Sequence, residues 1–170
     1  MQCITEKVPV ELRERAQWVL WRYETNDKGK PTKEPYQTKY PERKAKSNTP
    51  TTWADFASTM VLVTPEQGIG FVFDEPDPYC GIDLDGCVKD GVIEPWAERL
   101  MLMFPGYAEF SPSGTGIHLI GKGKLKKCWN QKPLETYDKK RFFTFTGNTV
   151  PRRTTIESWS RLEDFEGRTF

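Results

Sequence analysis

The sequence predicts an α+β fold, in which a few helices flank a mixed, mostly antiparallel sheet. Two observations support this prediction. Several short segments rich in aromatic and β-branched residues are bounded by turn residues, as strands are. Between them lie segments whose apolar residues recur at helical spacing. At 170 residues the chain is long enough to form one domain with a substantial core.

The first part of the chain predicts a helix and a hairpin. Residues Pro9–Ala16 are helix formers, and Gln17–Tyr23 is a strand rich in aromatic and β-branched residues. Glu24–Lys30 has the composition of a turn, so we expect a hairpin into Pro31–Tyr36. The two prolines of that second strand confine it to an edge of the sheet.

The middle of the chain predicts a helix followed by two strands. Thr52–Met60 has helical spacing, with Thr51 or Thr52 as its N-cap. Gly68–Phe73 and Cys80–Leu84 are short apolar strands. Because the turn sequence DEPDP separates them, we expect these two strands to pair as a hairpin.

The last predicted elements are one helix and three strands. Pro95–Phe104 is a helix with its proline in the first turn, where proline is favoured. Tyr107–Phe110, Gly116–Ile120 and Phe142–Thr146 are strands. Helices and mostly antiparallel strands thus interleave along the chain.

Composition and charge exclude several classes of protein. Charged residues make up 29% of the chain and the net charge is +1. Positive charge is nevertheless concentrated in two segments: Lys28–Lys46 carries seven Lys or Arg against two Glu, and Lys122–Lys127 carries four Lys. The four cysteines form no C-x-x-C pair and there is one histidine, so no zinc site is expected. Since no membrane span or signal peptide is present, we expect a cytoplasmic protein with free thiols.

Two carboxylates in an apolar strand are the strongest chemical signal. In YCGIDLD, alternation places Asp83 and Asp85 on one side and Ile82 and Leu84 on the other. Two like charges so close repel each other unless a cation lies between them, and Mg²⁺ is commonly held by such carboxylates. The alternative is a solvated edge strand with two surface acids.

The sequence SPSGTGIH suggests a phosphate-binding turn. Its small and hydroxyl-bearing residues offer several backbone N–H groups at close range. They are Ser111, Ser113, Gly114, Thr115 and Gly116. His118 follows directly, and we expect it to donate a hydrogen bond to a phosphate. The alternative is an ordinary turn followed by a structural histidine.

Downstream, LETYDKKRFFTFTGN supplies a third carboxylate and an arginine. Glu135 lies in an apolar setting, whereas Asp138 lies in a turn-like segment and ranks second as a metal ligand. Arg141 precedes a strand, and a guanidinium is well suited to bidentate phosphate binding. An ordinary surface arginine is the alternative.

These three segments, in this order, resemble the archaeo-eukaryotic primase superfamily. The family motifs are hydrophobic-D-hydrophobic-D, small-x-His, and a hydrophobic residue followed by an acid. They match Asp83 with Asp85, Gly116–His118, and Leu134 with Glu135. The chain is most similar to the primase-polymerase domains of phages and mobile elements that are often fused to a helicase.

The resemblance implies an RRM-like catalytic core, with residues 1–60 as an accessory part of a single 1–170 domain and 61–170 as the motif-bearing core. Asp83, Asp85 and Glu135 would hold two Mg²⁺ or Mn²⁺ ions. His118, Arg141 and the SPSGTG turn would bind the triphosphate of a dNTP or NTP.

The resemblance also implies nucleic-acid and protein partners. A single-stranded DNA template and a primer are the expected substrates, and a helicase outside this chain is the expected partner. The candidate template contacts are Lys33, Tyr36 and Lys124, through charge and stacking. A non-catalytic nucleotide or single-strand binding module with the same fold is the rival hypothesis.

Overall fold

The computed structural model describes residues 3–160 and residue 162. This part of the chain contains three α-helices and eleven strands. In order they are α1 (Val10–Arg13), β1 (Trp18–Thr25), β2 (Pro31–Tyr36), α2 (Phe56–Val61), β3 (Gln67–Phe73), β4 (Tyr79–Leu84), β5 (Val88–Lys89), β6 (Val92–Ile93), α3 (Pro95–Met103), β7 (Tyr107–Phe110), β8 (Ile117–Lys122), β9 (Asn130–Gln131), β10 (Leu134–Tyr137) and β11 (Arg141–Phe145). None of the described helices is long and apolar enough to cross a membrane.

The strands form two main sheets. A four-stranded sheet has the order β11-β3-β1-β2, and a five-stranded sheet has the order β7-β8-β4-β10-β9. A small ribbon pairs β5 with β6. All pairings between these named strands are antiparallel. The predicted α+β class is confirmed, with the strands divided between two sheets.

The predicted hairpin of Gly68–Phe73 with Cys80–Leu84 is wrong. Strand β3 pairs with β1 and β11, whereas β4 pairs with β8 and β10 in the other sheet. The connecting turn is closed by Asp77, which accepts hydrogen bonds from the backbone N–H of Tyr79 at 2.8 Å and of Asp74 at 3.2 Å. Both strands are apolar and central, and their composition alone did not identify their partners.

The helix α2 begins later than predicted, at Phe56, with Asp55 as its N-cap. The Asp55 carboxylate accepts a hydrogen bond of 2.8 Å from the backbone N–H of Ser58. Neither Thr51 nor Thr52 is the cap, because Pro50–Thr52 forms a separate 3-10 turn. Aspartate is as good an N-cap as threonine, so the sequence pattern was ambiguous here.

The remaining predicted elements are present. Helix α3 begins at Pro95, and β2 is an edge strand, as its prolines require. Helix α1 is shorter than predicted, at Val10–Arg13. Sequence patterns that depend on local chemistry were therefore reliable, apart from helix ends.

The two faces of the five-stranded sheet have different partners. Ile82, Leu84 and Leu119 belong to an apolar core with Leu100 and Phe104 at the end of α3. Tyr79 and Tyr137, which point to the opposite face, belong to an aromatic core shared with the four-stranded sheet. Alternation on β4 therefore places Asp83 on the face away from α3, and the prediction that Asp83 lies opposite to Ile82 and Leu84 is confirmed.

The two sheets are in close contact at Gly81 of β4. A Cβ at this position would lie 2.5 Å from the Phe143 ring and 2.7 Å from the Phe73 ring. These two rings meet edge to face, with centroids 5.0 Å apart. The missing side chain of Gly81 thus allows the four-stranded sheet to pack two residues away from Asp83.

We predict that Gly81→Ala destabilises the protein by about 1–3 kcal/mol, because the added methyl group overlaps two packed rings. Chemical denaturation would measure the change in the free energy of unfolding. The control is Val61→Ala, at a side chain that is 82% exposed, which should change stability by less than about 0.5 kcal/mol. Equal stability of Gly81→Ala and wild type would contradict the packing described here.

Candidate active site

A row of four polar side chains crosses the five-stranded sheet. Glu109 of β7 pairs with His118 of β8, His118 pairs with Asp83 of β4, and Asp83 pairs with Glu135 of β10. Directly opposite residues of antiparallel strands point to the same face, with Cβ atoms about 5 Å apart. The register therefore brings together residues that are far apart in the sequence, on the face opposite α3.

Asp85 lies just beyond the end of β4 and continues this acidic site. Its backbone N–H donates a 2.7 Å hydrogen bond to Pro133 O, at the turn between β9 and β10. In the same turn, Lys132 Nζ lies 2.9 Å from Asp85 Oδ2. Asp83 and Asp85 both line one open cleft of about 790 Å³. The two aspartates of the D-x-D pattern thus face a common space.

His118 is buried at the centre of the row. Its Nδ1–H donates to Thr144 O at 3.0 Å and lies 3.4 Å from Glu109 Oε1, while Nε2 lies 3.7 Å from Asp83 Oδ1. Burial lowers the pKa of His118, but the contacts with Glu109 and Asp83 outweigh it, so that the pKa is raised overall. The hydrogen bond from Nδ1 to Thr144 O orients the ring so that Nε2 faces Asp83.

Glu109 is the residue of this row that the sequence analysis missed. Its carboxylate is fully buried and accepts hydrogen bonds from the backbone N–H groups of Thr146 and Gly147 and from the Tyr107 hydroxyl. A glutamate within the apolar strand YAEF was a visible signal. Its significance depends on pairing with His118, which composition does not show.

The negative charge of Asp83 is only partly compensated by its neighbours. Burial raises the pKa of its carboxyl group; His118 opposes this effect, and the charge of Asp85 adds to it. Its side chain is 24% exposed and opens to the cleft. The site therefore favours the approach of a cation.

Glu135, rather than Asp138, faces Asp83. Glu135 lies directly opposite Asp83 and accepts a 2.9 Å hydrogen bond from the Tyr137 hydroxyl. Asp138 is buried elsewhere and accepts a 3.0 Å hydrogen bond from the backbone N–H of Leu125. Its contacts hold the loop before β9 in place. Of the two candidates, the geometry favours Glu135 as a third ligand.

Positive side chains line the cleft around these acids. Arg141 Nη2 lies 3.7 Å from Glu135 Oε2, and the guanidinium lies over the Tyr137 ring at 4.8 Å from its centroid. The cationic residues that line the cleft are Lys33, Lys46, Lys132, Lys140 and Arg141. An acidic centre surrounded by cations suits a ligand that carries both a metal ion and phosphates.

The three candidate template contacts lie in different places. Lys33 lines the cleft, and Tyr36, three residues later on the same strand, points to the opposite face. Tyr36 is buried, with the Arg22 guanidinium 3.8 Å from its ring centroid, so the structure does not present it for base stacking. Lys124 follows the far end of β8 and binds Glu75 O at 2.8 Å. Only Lys33 of the three is at the acidic site.

The SPSGTG turn joins β7 to β8 beside the acids but does not line the described cleft. Ser111 Oγ lies 3.1 Å from Ser113 Oγ, which lies 2.8 Å from Thr115 Oγ1. The backbone N–H of Gly116 donates to Ser111 Oγ at 3.1 Å. Gly114, at φ +73°, allows the tight turn. In the structure these hydroxyl and N–H groups hydrogen-bond to one another. A phosphate-binding role for the turn stays a prediction.

Comparison with known proteins agrees with the motif resemblance. No protein-family model matches the sequence. The chain is similar to a phage DNA primase-polymerase. That enzyme, from Nitratiruptor phage NrS-1, is 34% identical over 153 residues, which cover 84% of this chain and 20% of the phage protein. The chain thus spans about a fifth of its relative, and the similarity supports a primase-polymerase type of family.

The acids fit a Mg²⁺ or Mn²⁺ site by their chemistry. The described residues contain no group of three or more His, Cys, Asp or Glu side chains already placed to hold a metal ion. Instead, Asp85 and Glu135 contact Lys132 and Arg141. All three acids nevertheless offer the oxygen ligands that hard cations prefer, and the raised pKa of Asp83 indicates a charge that a cation would offset.

We predict that Asp83→Asn increases the free energy of unfolding at pH 7. A carboxyl group whose pKa is raised by folding destabilises the folded state once it ionises. The difference from wild type should vanish below the ordinary aspartate pKa of 3.8, grow as the pH rises above that value, and level off once the pH exceeds the raised pKa of the folded state. Denaturation across this pH range measures it, and a variant less stable than wild type at pH 7 would contradict the expectation.

Proposed function

We propose that the chain is a template-directed nucleotidyltransferase, a DNA primase or polymerase that adds nucleotides to a 3′-hydroxyl group in DNA replication. The observation that carries this proposal is the row in which Asp83 lies between His118 and Glu135, with Asp85 beside it, in a cleft lined by cations. The similarity to the phage primase-polymerase supports it.

Asp83, Asp85 and Glu135 are the proposed ligands of two Mg²⁺ or Mn²⁺ ions. Such ions, when bound, lower the pKa of the attacking 3′-hydroxyl and neutralise the leaving pyrophosphate. The residues themselves supply oxygen ligands on one sheet face. Strand pairing fixes the positions of Asp83 and Glu135, and the backbone hydrogen bond to Pro133 O holds Asp85, which limits the reorganisation needed when substrate binds.

The cations and His118 are the proposed triphosphate contacts. His118 Nδ1 is occupied by Thr144 O, so Nε2 is the nitrogen available to the cleft. Arg141 is 51% exposed and only loosely paired with Glu135, which leaves guanidinium donors for phosphate oxygens. Lys132 and Lys33 also line the cleft and add positive charge to it. The SPSGTG turn is a further, separate candidate.

The partners follow from the same proposal. Single-stranded DNA template and primer would enter the cleft with a dNTP or NTP, and the resemblance favours a helicase as the functional partner. We place this activity in the cytoplasm of a prokaryotic cell.

The decisive experiment is primer extension on a single-stranded template, with Mg²⁺ or Mn²⁺ and with dNTPs and NTPs supplied separately. Asp83→Asn, Asp85→Asn and Glu135→Gln should each reduce synthesis at least about 100-fold, because each removes a charged ligand from the reacting centre. Glu98→Gln, at an exposed acid of α3, is the matched control and should retain full synthesis.

Two results would contradict this proposal. Synthesis that persists in all three acid variants would remove these residues from catalysis. A folded wild-type protein that binds nucleotide or single-stranded DNA, but makes no product with either metal, would favour the binding-module hypothesis.

We further predict that His118→Ala and Arg141→Gln each raise the KM for nucleotide about tenfold. A hydrogen bond to a charged group contributes about 1.5–3 kcal/mol, and 1.4 kcal/mol corresponds to a factor of ten. Steady-state kinetics at saturating template separates KM from kcat, and Arg99→Gln on the exposed side of α3 is the control. A KM unchanged in both variants would remove these side chains from the nucleotide site.

A further inference from the structure

Tyr23 is an exposed aromatic residue at the cleft. It lies on β1, is 52% exposed, and lines the same cleft as Asp83 and Asp85. Large aromatic side chains are usually buried or half-buried, so an open ring beside a charged cleft is unusual. The residue plays no part in the proposed catalytic chemistry.

The Tyr23 ring packs against the ring of Trp21. Trp21, two residues earlier on the same face, meets it edge to face, with ring centroids 5.3 Å apart and an interplanar angle of 88°. Trp21 is itself buried and donates a 3.0 Å hydrogen bond from Nε1 to Ile69 O. The Trp21 ring also covers Gly68, where a Cβ would lie 2.5 Å from Nε1. A rigid indole therefore supports an exposed phenol ring.

Lys33 connects Tyr23 to the acidic row. Tyr23 and Lys33 are directly opposite on β1 and β2, so their side chains share a face. Burial lowers the pKa of Lys33, and the charges of Asp83 and Asp85 act against this effect. The Lys33 ammonium group therefore lies within electrostatic reach of the acids, one strand away from the tyrosine ring.

Tyr40, the other exposed tyrosine, differs from Tyr23 because cations lie over its ring. Tyr40 is 40% exposed, but the Arg43 guanidinium lies 4.7 Å and Lys39 Nζ 5.4 Å from its ring centroid. Tyr40 does not line the described cleft. Its ring is therefore partly covered by neighbouring cations, and it is a suitable comparison for Tyr23.

We propose that Tyr23 is a stacking surface for a nucleobase bound in the cleft, with Lys33 contacting an adjacent phosphate. An aromatic face beside a cationic groove is the arrangement that binds single-stranded nucleic acid, because every base has a π-face and every nucleotide a negative charge. This inference rests on the proposed function. The base belongs either to a single-stranded template or to the incoming nucleotide, which have the same stacking chemistry.

Equilibrium binding tests the proposal without turnover. Fluorescence anisotropy would measure a labelled oligothymidylate and a matched strand with abasic sites, and equilibrium dialysis would measure labelled dTTP with Mg²⁺. We expect Tyr23→Ala and Tyr23→Leu to weaken binding of either the intact strand or dTTP about tenfold, as stacking of about 1–3 kcal/mol per base requires. Tyr23→Phe should bind as wild type, and so should Tyr40→Ala.

The choice of probe identifies the source of the base. If the strand binds through Tyr23, wild-type protein should prefer the intact strand to the abasic strand, and Tyr23→Ala should lose most of that preference. If the nucleotide binds through Tyr23, the loss should appear with dTTP alone. Unchanged binding of both probes in Tyr23→Ala and Tyr23→Leu, or equal weakening by Tyr23→Phe, would overturn the proposal.

The test is independent of the catalytic proposal. Absence of synthesis in primer extension, together with base-dependent binding through Tyr23, would reject the polymerase and keep the stacking surface. Synthesis that depends on Asp83, with no effect of Tyr23 on either probe, would reject the stacking surface and keep the polymerase.

Discussion

The register of β4 is the constraint on which the rest of the structure depends. Because strand side chains alternate, a shift of one residue would exchange Asp83 with Ile82 or Leu84 and place a carboxylate in the α3 core. Gly81 fixes this register from the other side, since the Phe73 and Phe143 rings pack only where β4 has no side chain. The same register of β4 therefore sets both the contact between the sheets and the position of Asp83 in the row.

The two acids on either side of His118 differ in burial, since Glu109 is enclosed in the protein and Asp83 is open to the cleft. Glu109 is fully buried, but three hydrogen-bond donors and the neighbouring His118 compensate its charge. Asp83 has less compensation, and its raised pKa is a cost to folding. A protein that keeps such a charge in an open cleft sacrifices stability there, as is common at functional sites. A bound cation would offset this loss of folding free energy by neutralising the carboxylate.

Local patterns in the sequence predicted the fold class, most strands and the common face of Asp83 and Asp85. They did not predict strand partners, because pairing is decided by packing between distant segments; the supposed β3–β4 hairpin failed for this reason. The same limit hid Glu109, whose role appears only beside His118. In contrast, the separation of Lys33 from Tyr36 follows from simple alternation along β2, and that signal was present in the sequence. Strand pairing instead places a different aromatic residue, Tyr23, directly opposite Lys33.

The ion pairs of the cleft suggest how a ligand would enter it. Both partners of the Lys132–Asp85 pair are exposed, and exposed pairs of this kind contribute little to stability. In the pair of Arg141 with Glu135 only the arginine is exposed, and the two charged groups are 3.7 Å apart. Exchanging the Lys132–Asp85 contact for a divalent cation at the aspartate and a phosphate at the lysine would therefore cost little and would leave both charges paired. His118 differs, because its ring is buried and held by Thr144 O. The site thus combines a fixed histidine and fixed strand positions with side chains that are free to change partners, which is what binding a metal-bound nucleotide requires.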